Sequence, residues 1–85
     1  MYNYTEQKEN LFTEEGQEMF LKIRDEAKRL LSKAGAFKMN KVMTCGGGDT
    51  WDMLACVDRL VELCEIKELT KDVQGQDRVF VGIGE

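Results

Sequence analysis

Cys45-Gly46-Gly47-Gly48-Asp49-Thr50 is the stretch whose residue types come nearest to catalytic chemistry. Consecutive glycines before a helix N-terminus turn backbone amides toward an anion, and a thiol placed there ionises more readily. The rest of the machinery is missing. No Lys-Ser/Thr follows the glycines, as a phosphate-cradling loop requires, and there is no G-x-G-x-x-G. Asp49 takes the helix end that an anion would need. The chain has no His, and no other base is evident to pair with Cys45. The stretch reads first as a helix-to-helix turn whose glycines supply positive φ, with a redox-sensitive Cys45 thiol as the alternative. No catalytic residue is assigned: among 16 acidic residues any chosen carboxylate pair is arbitrary.

Cys45, Cys56 and Cys64 form no C-x-x-C. Cys56 and Cys64 fall eight apart on one expected helix, ~12 Å along its axis, too far for a disulfide. A closed zinc site wants four N or S ligands. No metal and no cofactor are expected, and the thiols read as reduced in a cytoplasmic protein. The N-terminus shows no basic-then-apolar leader pattern. The longest uncharged stretch, residues 42–48, is far short of a bilayer core of ~30 Å.

The 85 residues make one small domain, 42% hydrophobic and 33% charged, with a formal net charge of −4. Charge is segregated. Residues 1–21 carry five Glu and one Lys, residues 22–48 carry seven Lys/Arg against Asp25 and Glu26, and residues 49–85 carry nine acids against four bases. The ordinary reading is helix faces solvated by mixed charge. The sharper one is a bipolar surface that selects a partner or self-associates.

Residues 1–12 read as a polar N-terminal tail that packs Tyr2, Tyr4, Leu11 and Phe12 back on the domain or stays loose, and residues 13–85 as the domain itself. Thr13 caps a first helix in which Met19, Phe20, Ile23, Ala27, Leu30, Leu31 and Ala34 share a face, and Gly35 ends it. Glu18–Lys22 and Asp25–Arg29 have the spacing of stabilising pairs. Residues 36–39 form a short extended link, with Asn40 capping a short second helix. Asp49, with Asp52 three residues on, caps a third helix in which Met53, Leu54, Val57, Leu60, Val61 and Cys64 share one face. Opposite that face lie Ala55, Asp52, Arg59 and Glu62; Trp51, Cys56, Asp58 and Leu63 flank it. Residues 65–70 and 78–83 read as two strands joined by a polar, Gly-containing loop, with Val79, Val81 and Ile83 alternating with Phe80 and Gly82.

This α+β order, three helices followed by a β-hairpin, resembles a small winged helix-turn-helix domain over roughly residues 13–83. Residues 54–66 look like the end of a recognition helix turning into the wing, and residues 76–81 like the returning wing strand. A Gly often stands in that superfamily where this chain has Cys64. The resemblance implies a third helix lying in a DNA major groove and a hairpin touching backbone phosphates or the minor groove. A DNA-binding regulator would then use Lys38, Lys41, Arg59, Lys67, Lys71 and Arg78.

The charges resist that use. Residues 49–64 hold four acids and Arg59, and residues 67–78 balance three acids with three bases, whereas phosphate anchoring needs cations. The favoured reading is a non-enzymatic module that binds protein or a second copy of itself. Trp51, Arg59 and Leu63 would form the contact core, with Asp52, Asp58 and Glu62 steering a positive partner. The competing reading has Trp51 lying against the first helix or the N-terminal tail and Leu63 under the hairpin. No membrane contact and no small-molecule substrate are expected.

Overall fold

A computed structural model of the chain describes residues 2–46, 49–73 and 75–83, with the side chains of residues 45 and 46 left out. The Cys45 thiol and the Gly47-Gly48 pair therefore lie outside the described residues. Among the described residues four α-helices and three strands follow in the order α1 (Tyr4–Gln7), α2 (Glu14–Ala34), β1 (Ala36–Lys38), α3 (Met39–Gly46), α4 (Thr50–Glu62), β2 (Ile66–Glu68) and β3 (Val79–Gly82). Single 3-10 segments cover Lys8–Phe12 and Gly75–Asp77. The molecule is a small α+β domain.

α2 begins where the sequence signals it. The Thr13 hydroxyl accepts the Gly16 amide at 3.0 Å, and Gly35 ends the helix at φ 79°, its amide returned to the Leu31 carbonyl. Ile23 and Ala27 are buried, and Met19, Phe20, Leu30 and Leu31 pack against them; Ala34 is exposed. The expected Asp25–Arg29 pair does not form, because the Arg29 guanidinium clasps both oxygens of Glu26 one turn back, at 2.7 Å each.

The extended link after α2 pairs as a strand. β3 lies between β1 and β2, antiparallel to both, with Phe37 opposite Phe80 and Glu68 opposite Phe80 on the other side. Alternation sends Phe37, Ile66 and Phe80 into the core and leaves Lys38, Lys67 and Leu69 on the outer face. The Phe37 and Phe80 rings stack at 5.4 Å. α3 starts at Met39, ahead of the cap expected at Asn40 and two residues before the first helical residue expected, Lys41. Its first turn is tied by the Met39 amide to the Arg78 carbonyl at 2.8 Å, while the Asn40 Oδ1 is buried with no hydrogen-bond partner and caps nothing.

α4 starts as expected, the Asp49 carboxylate accepting the Trp51 amide at 2.7 Å, but it is more deeply enclosed than a one-faced helix. Met53, Leu54, Val57 and Leu60 are buried, and so are Ala55 and Cys56, both 0% exposed. The wheel that sets Ala55 opposite the core and Cys56 on a flank is corrected by what covers them: α2 and α3 pack on α4, and so do β2, α1 and the Lys8–Phe12 turn. Cys64 departs in the other direction. It lies beyond the helix, exposed, at φ 61°. Its amide bonds the Val61 carbonyl and the Glu65 amide bonds the Leu60 carbonyl, each at 3.0 Å, which makes Cys64 the left-handed residue of a Schellman ending.

An L-residue in that conformation costs about 1–2 kcal/mol, and glycine relieves it while giving back about 0.5–1 kcal/mol through its freer unfolded chain. Cys64→Gly is therefore expected to raise the unfolding free energy by about 0.5–1 kcal/mol in urea denaturation, with no change in the helical circular dichroism signal. A loss of stability would mean the turn depends on the thiol.

Candidate functional site

The six residues expected to form a protein-binding face all lie between the first turn of α4 and its end, and the N-terminal segment runs across them. Its path is set by Leu11, 1% exposed, and by a close crossing at Gly16, where a Cβ would stand 2.0 Å from the Asn10 carbonyl oxygen. The Gln17 side-chain Nε2 donates to the Leu11 carbonyl, and the Thr13 hydroxyl to that of Asn10. From there residues 2–10 pass back over α4.

Each acid on that face is engaged within the chain. Asp52 accepts from the Asn10 side chain at 3.2 Å rather than closing a capping box. Glu62 accepts from the Tyr4 hydroxyl at 2.8 Å, Lys8 Nζ at 2.8 Å and Arg59 Nη1 at 2.7 Å. These three donors, Lys8 first, hold its carboxyl down at about 2. Tyr4 is pushed up to about 12 by burial and by its bond to Glu62. Asp58 accepts from the Tyr2 hydroxyl at 2.5 Å, and burial together with that bond raises the Tyr2 phenol well above its ordinary range.

Asp58 also takes the Arg78 guanidinium, at 2.6 Å to Nη2 and 3.3 Å to Nη1. The other side of Arg78 meets Glu68, at 3.1 Å from Nε and 2.9 Å from Nη2. The Thr70 hydroxyl donates to the same Glu68 at 2.6 Å. Burial raises the Glu68 carboxyl, but the bonds from Arg78 and Thr70 outweigh it and the net shift is downward. Burial works against the Arg78 charge, and the two carboxylates more than restore it.

The remaining members of the face look outward. Trp51 is 40% exposed, its ring in a T-shaped contact with that of Tyr2, centroids 6.4 Å apart. It lies against the N-terminal segment and still presents a surface. Leu63 is 44% exposed and is not covered by the hairpin. With Phe12, 59% exposed, it borders a groove of about 240 Å³ also lined by Phe20 and Arg59. The Arg59 guanidinium sits 5.5 Å from the Phe12 ring centre. A larger cleft of about 710 Å³ opens at the other end of α4, between Tyr2, Trp51 and the β2–β3 connection.

The six cations expected to hold DNA do not converge as free charges. Arg78 is 12% exposed between two carboxylates, and Arg59 is paired with Glu62. Lys38 and Lys67 flank β3 on the outer sheet face, and Lys41 and Lys71 are exposed on α3 and the hairpin connection. Among the described residues no group of three or more acids or cysteines could hold a metal ion, and no helix is long and apolar enough to cross a membrane. Tyr2, Tyr4, Lys8 and Phe12 are site residues that the sequence identifies only as aromatics and a cation in a polar stretch. Glu68 gave no signal at all, being ten residues from Arg78 across a turn. No protein-family model, curated protein or solved structure matches the chain.

Two measurements follow from the ion and phenol bonds. Arg78→Ala leaves Asp58 and Glu68 without their cation and should cost about 3–5 kcal/mol of unfolding free energy, read by urea denaturation; Arg59→Ala, at an exposed pair, should change it far less. A small effect at Arg78 would show that the carboxylates find other partners. Tyr2 and Tyr4 are the chain's only tyrosines, so alkaline titration of tyrosinate absorbance reads the segment directly. Because the fold raises both phenols, their stabilising contribution is full below pH 10 and is lost as pH climbs through about 12 for Tyr4 and further for Tyr2. Glu62→Gln should move the Tyr4 transition down and leave Tyr2 in place. Both phenols titrating near 10 in the wild type would place the segment off α4.

Proposed function

We propose that the chain is a non-enzymatic winged-helix module that acts through protein–protein contacts, as an adaptor or regulator. The winged-helix reading is supported by the order of elements and by β1 pairing with β3 on the side away from β2. The observation that carries the functional reading is the groove at the end of α4. Phe12 and Leu63 stand exposed on its rim, and Arg59, which also lines it, lies over the Phe12 ring. Aromatic, Arg and aliphatic side chains around a small concavity are the composition of an interface centre.

The partner is recognised there by apolar contact more than by charge. Asp52, Asp58 and Glu62 spend their charge on Asn10, Tyr2, Arg78, Tyr4, Lys8 and Arg59. The same pairing weakens the DNA alternative. Two of its six cations are already neutralised within the chain, and phosphate anchoring needs free ones.

Phe12→Ala combined with Leu63→Ala removes the rim without touching buried residues. Captured protein partners, or self-association seen in sedimentation, should be lost in this variant while circular dichroism is unchanged. Partner binding that survives the double substitution removes the groove from consideration. Salt-sensitive amide shifts at Lys38, Lys41, Lys67 and Lys71 on titration with random duplex would move the assignment to DNA.

A further inference from the structure

The cleft at the other end of α4 has a composition that the groove lacks. Two aromatic rings, Tyr2 and Trp51, form a corner at 66° with centroids 6.4 Å apart, and both line the cleft. Trp51 keeps two-fifths of its surface in solvent although it is the largest side chain in the domain. Leu54 and Val73 add apolar wall. Its volume of about 710 Å³ is in the range of small-ligand sites.

Charge selects among ligands. Among the described residues Arg78 is the cation lining the cleft, and four of the five N–H groups of its guanidinium are directed at Asp58 and Glu68. Asp72 lines the same cleft on the hairpin connection. Among the side chains lining the cleft, Arg78 set against Glu68 and Asp72 leaves a formal charge of −1, and the other side of the guanidinium is taken by Asp58, outside the lining. The start of α4 offers an anion nothing, since Asp49 already takes the Trp51 amide. An anion meets repulsion, and an uncharged apolar ligand gains nothing from the carboxylates. A cation with an apolar skin matches both features. Its charge is attracted by the aromatic rings and by Asp72, and its methyl groups fit against Leu54 and Val73.

We infer that the cleft between the first turn of α4 and the β2–β3 connection binds an alkylated ammonium group, carried by a free quaternary amine or by the end of a methylated lysine side chain. This site is separate from the groove at Phe12 and Leu63 and stands whether or not that groove binds a protein.

The test is a titration of the Trp51 indole N–H and the hairpin amides by nuclear magnetic resonance. The probes are tetramethylammonium chloride, a short peptide bearing trimethyllysine, sodium chloride for ionic strength, and tert-butanol as an uncharged probe of similar shape. The ammonium probes should give saturable shifts at Trp51, at least about tenfold tighter than the alcohol. Asp72→Asn removes charge at an exposed residue whose φ of 57° suits Asn, and should weaken binding severalfold with the core amides unmoved. Trp51→Leu should abolish the hairpin shifts. The peptide binding more tightly than tetramethylammonium assigns the lysine source; equal or weaker binding assigns the free amine. Shifts that do not saturate, that the alcohol reproduces, or that Asp72→Asn leaves unchanged overturn the assignment.

Discussion

Arg78 between Asp58 and Glu68 is the contact through which the separate parts of the domain are held in register. Asp58 comes from the middle of α4, Glu68 from the end of β2, and Arg78 itself immediately precedes β3. Its guanidinium lies over the Phe80 ring at 5.1 Å, and its carbonyl receives the first amide of α3. A guanidinium removed from water to this degree is tolerable only with its charge matched and its donors used. Both conditions fail if the hairpin swings away from α4. The orientation of hairpin to helix is thus fixed by one side chain that has no acceptable alternative place. The Thr70 hydroxyl extends the constraint along the strand, donating to Glu68 and accepting the Val79 amide at 3.3 Å.

The same contact changes what the charge of α4 means. Counted along the chain, residues 49–64 are strongly acidic, and a helix of that sign suggests a surface waiting for a positive partner. In the folded molecule Asp49 caps the helix, Asp52 holds Asn10, Asp58 holds Tyr2 and Arg78, and Glu62 holds Tyr4, Lys8 and Arg59. Much of this compensation comes from neutral donors. A phenol or an amide satisfies a carboxylate oxygen without appearing in any tally of charge, so the excess on the helix was real while the demand for an external cation was not.

What was legible in the residues follows the range of the signals. α2 could be read from cap to cap because its periodicity, its Thr13 and its Gly35 are local, and the start of α4 at Asp49 was legible for the same reason. β1 is three residues long, too short for alternation to declare itself, and its pairing with β3 joins residues more than forty apart. Ala55 and Cys56 were misplaced because a helical wheel assumes one buried face, whereas α4 is covered from several directions. Cys64 broke its apparent period because the helix ends two residues before it, although the resemblance had marked that position as one that glycine often fills. The N-terminal segment has no periodicity at all. Its docking depends on pairings with Asp58 and Glu62, fifty or more residues away, and composition records only that aromatics are present.

The two concave sites differ in how firmly their walls are held, and the difference returns to Arg78. In the groove, Phe12 follows directly on Leu11, which is buried, so one rim is anchored by packing. In the cleft, Trp51 is fixed by the helix that carries it, but Tyr2 belongs to a segment whose α1 contributes no buried residue. Its tyrosines pack against the core only partly buried, and shallow burial makes a segment cheaper to release. Tyr2 keeps its place through the hydroxyl bond to Asp58, the T-shaped contact with the Trp51 ring and partial packing against the core. Arg78 holds both oxygens of the same carboxylate and shares Oδ2 with that hydroxyl. The second aromatic wall of the cleft is therefore positioned at one remove by the guanidinium that locks the hairpin, and the shape of the cleft depends on an ion pair that does not need to touch what enters it.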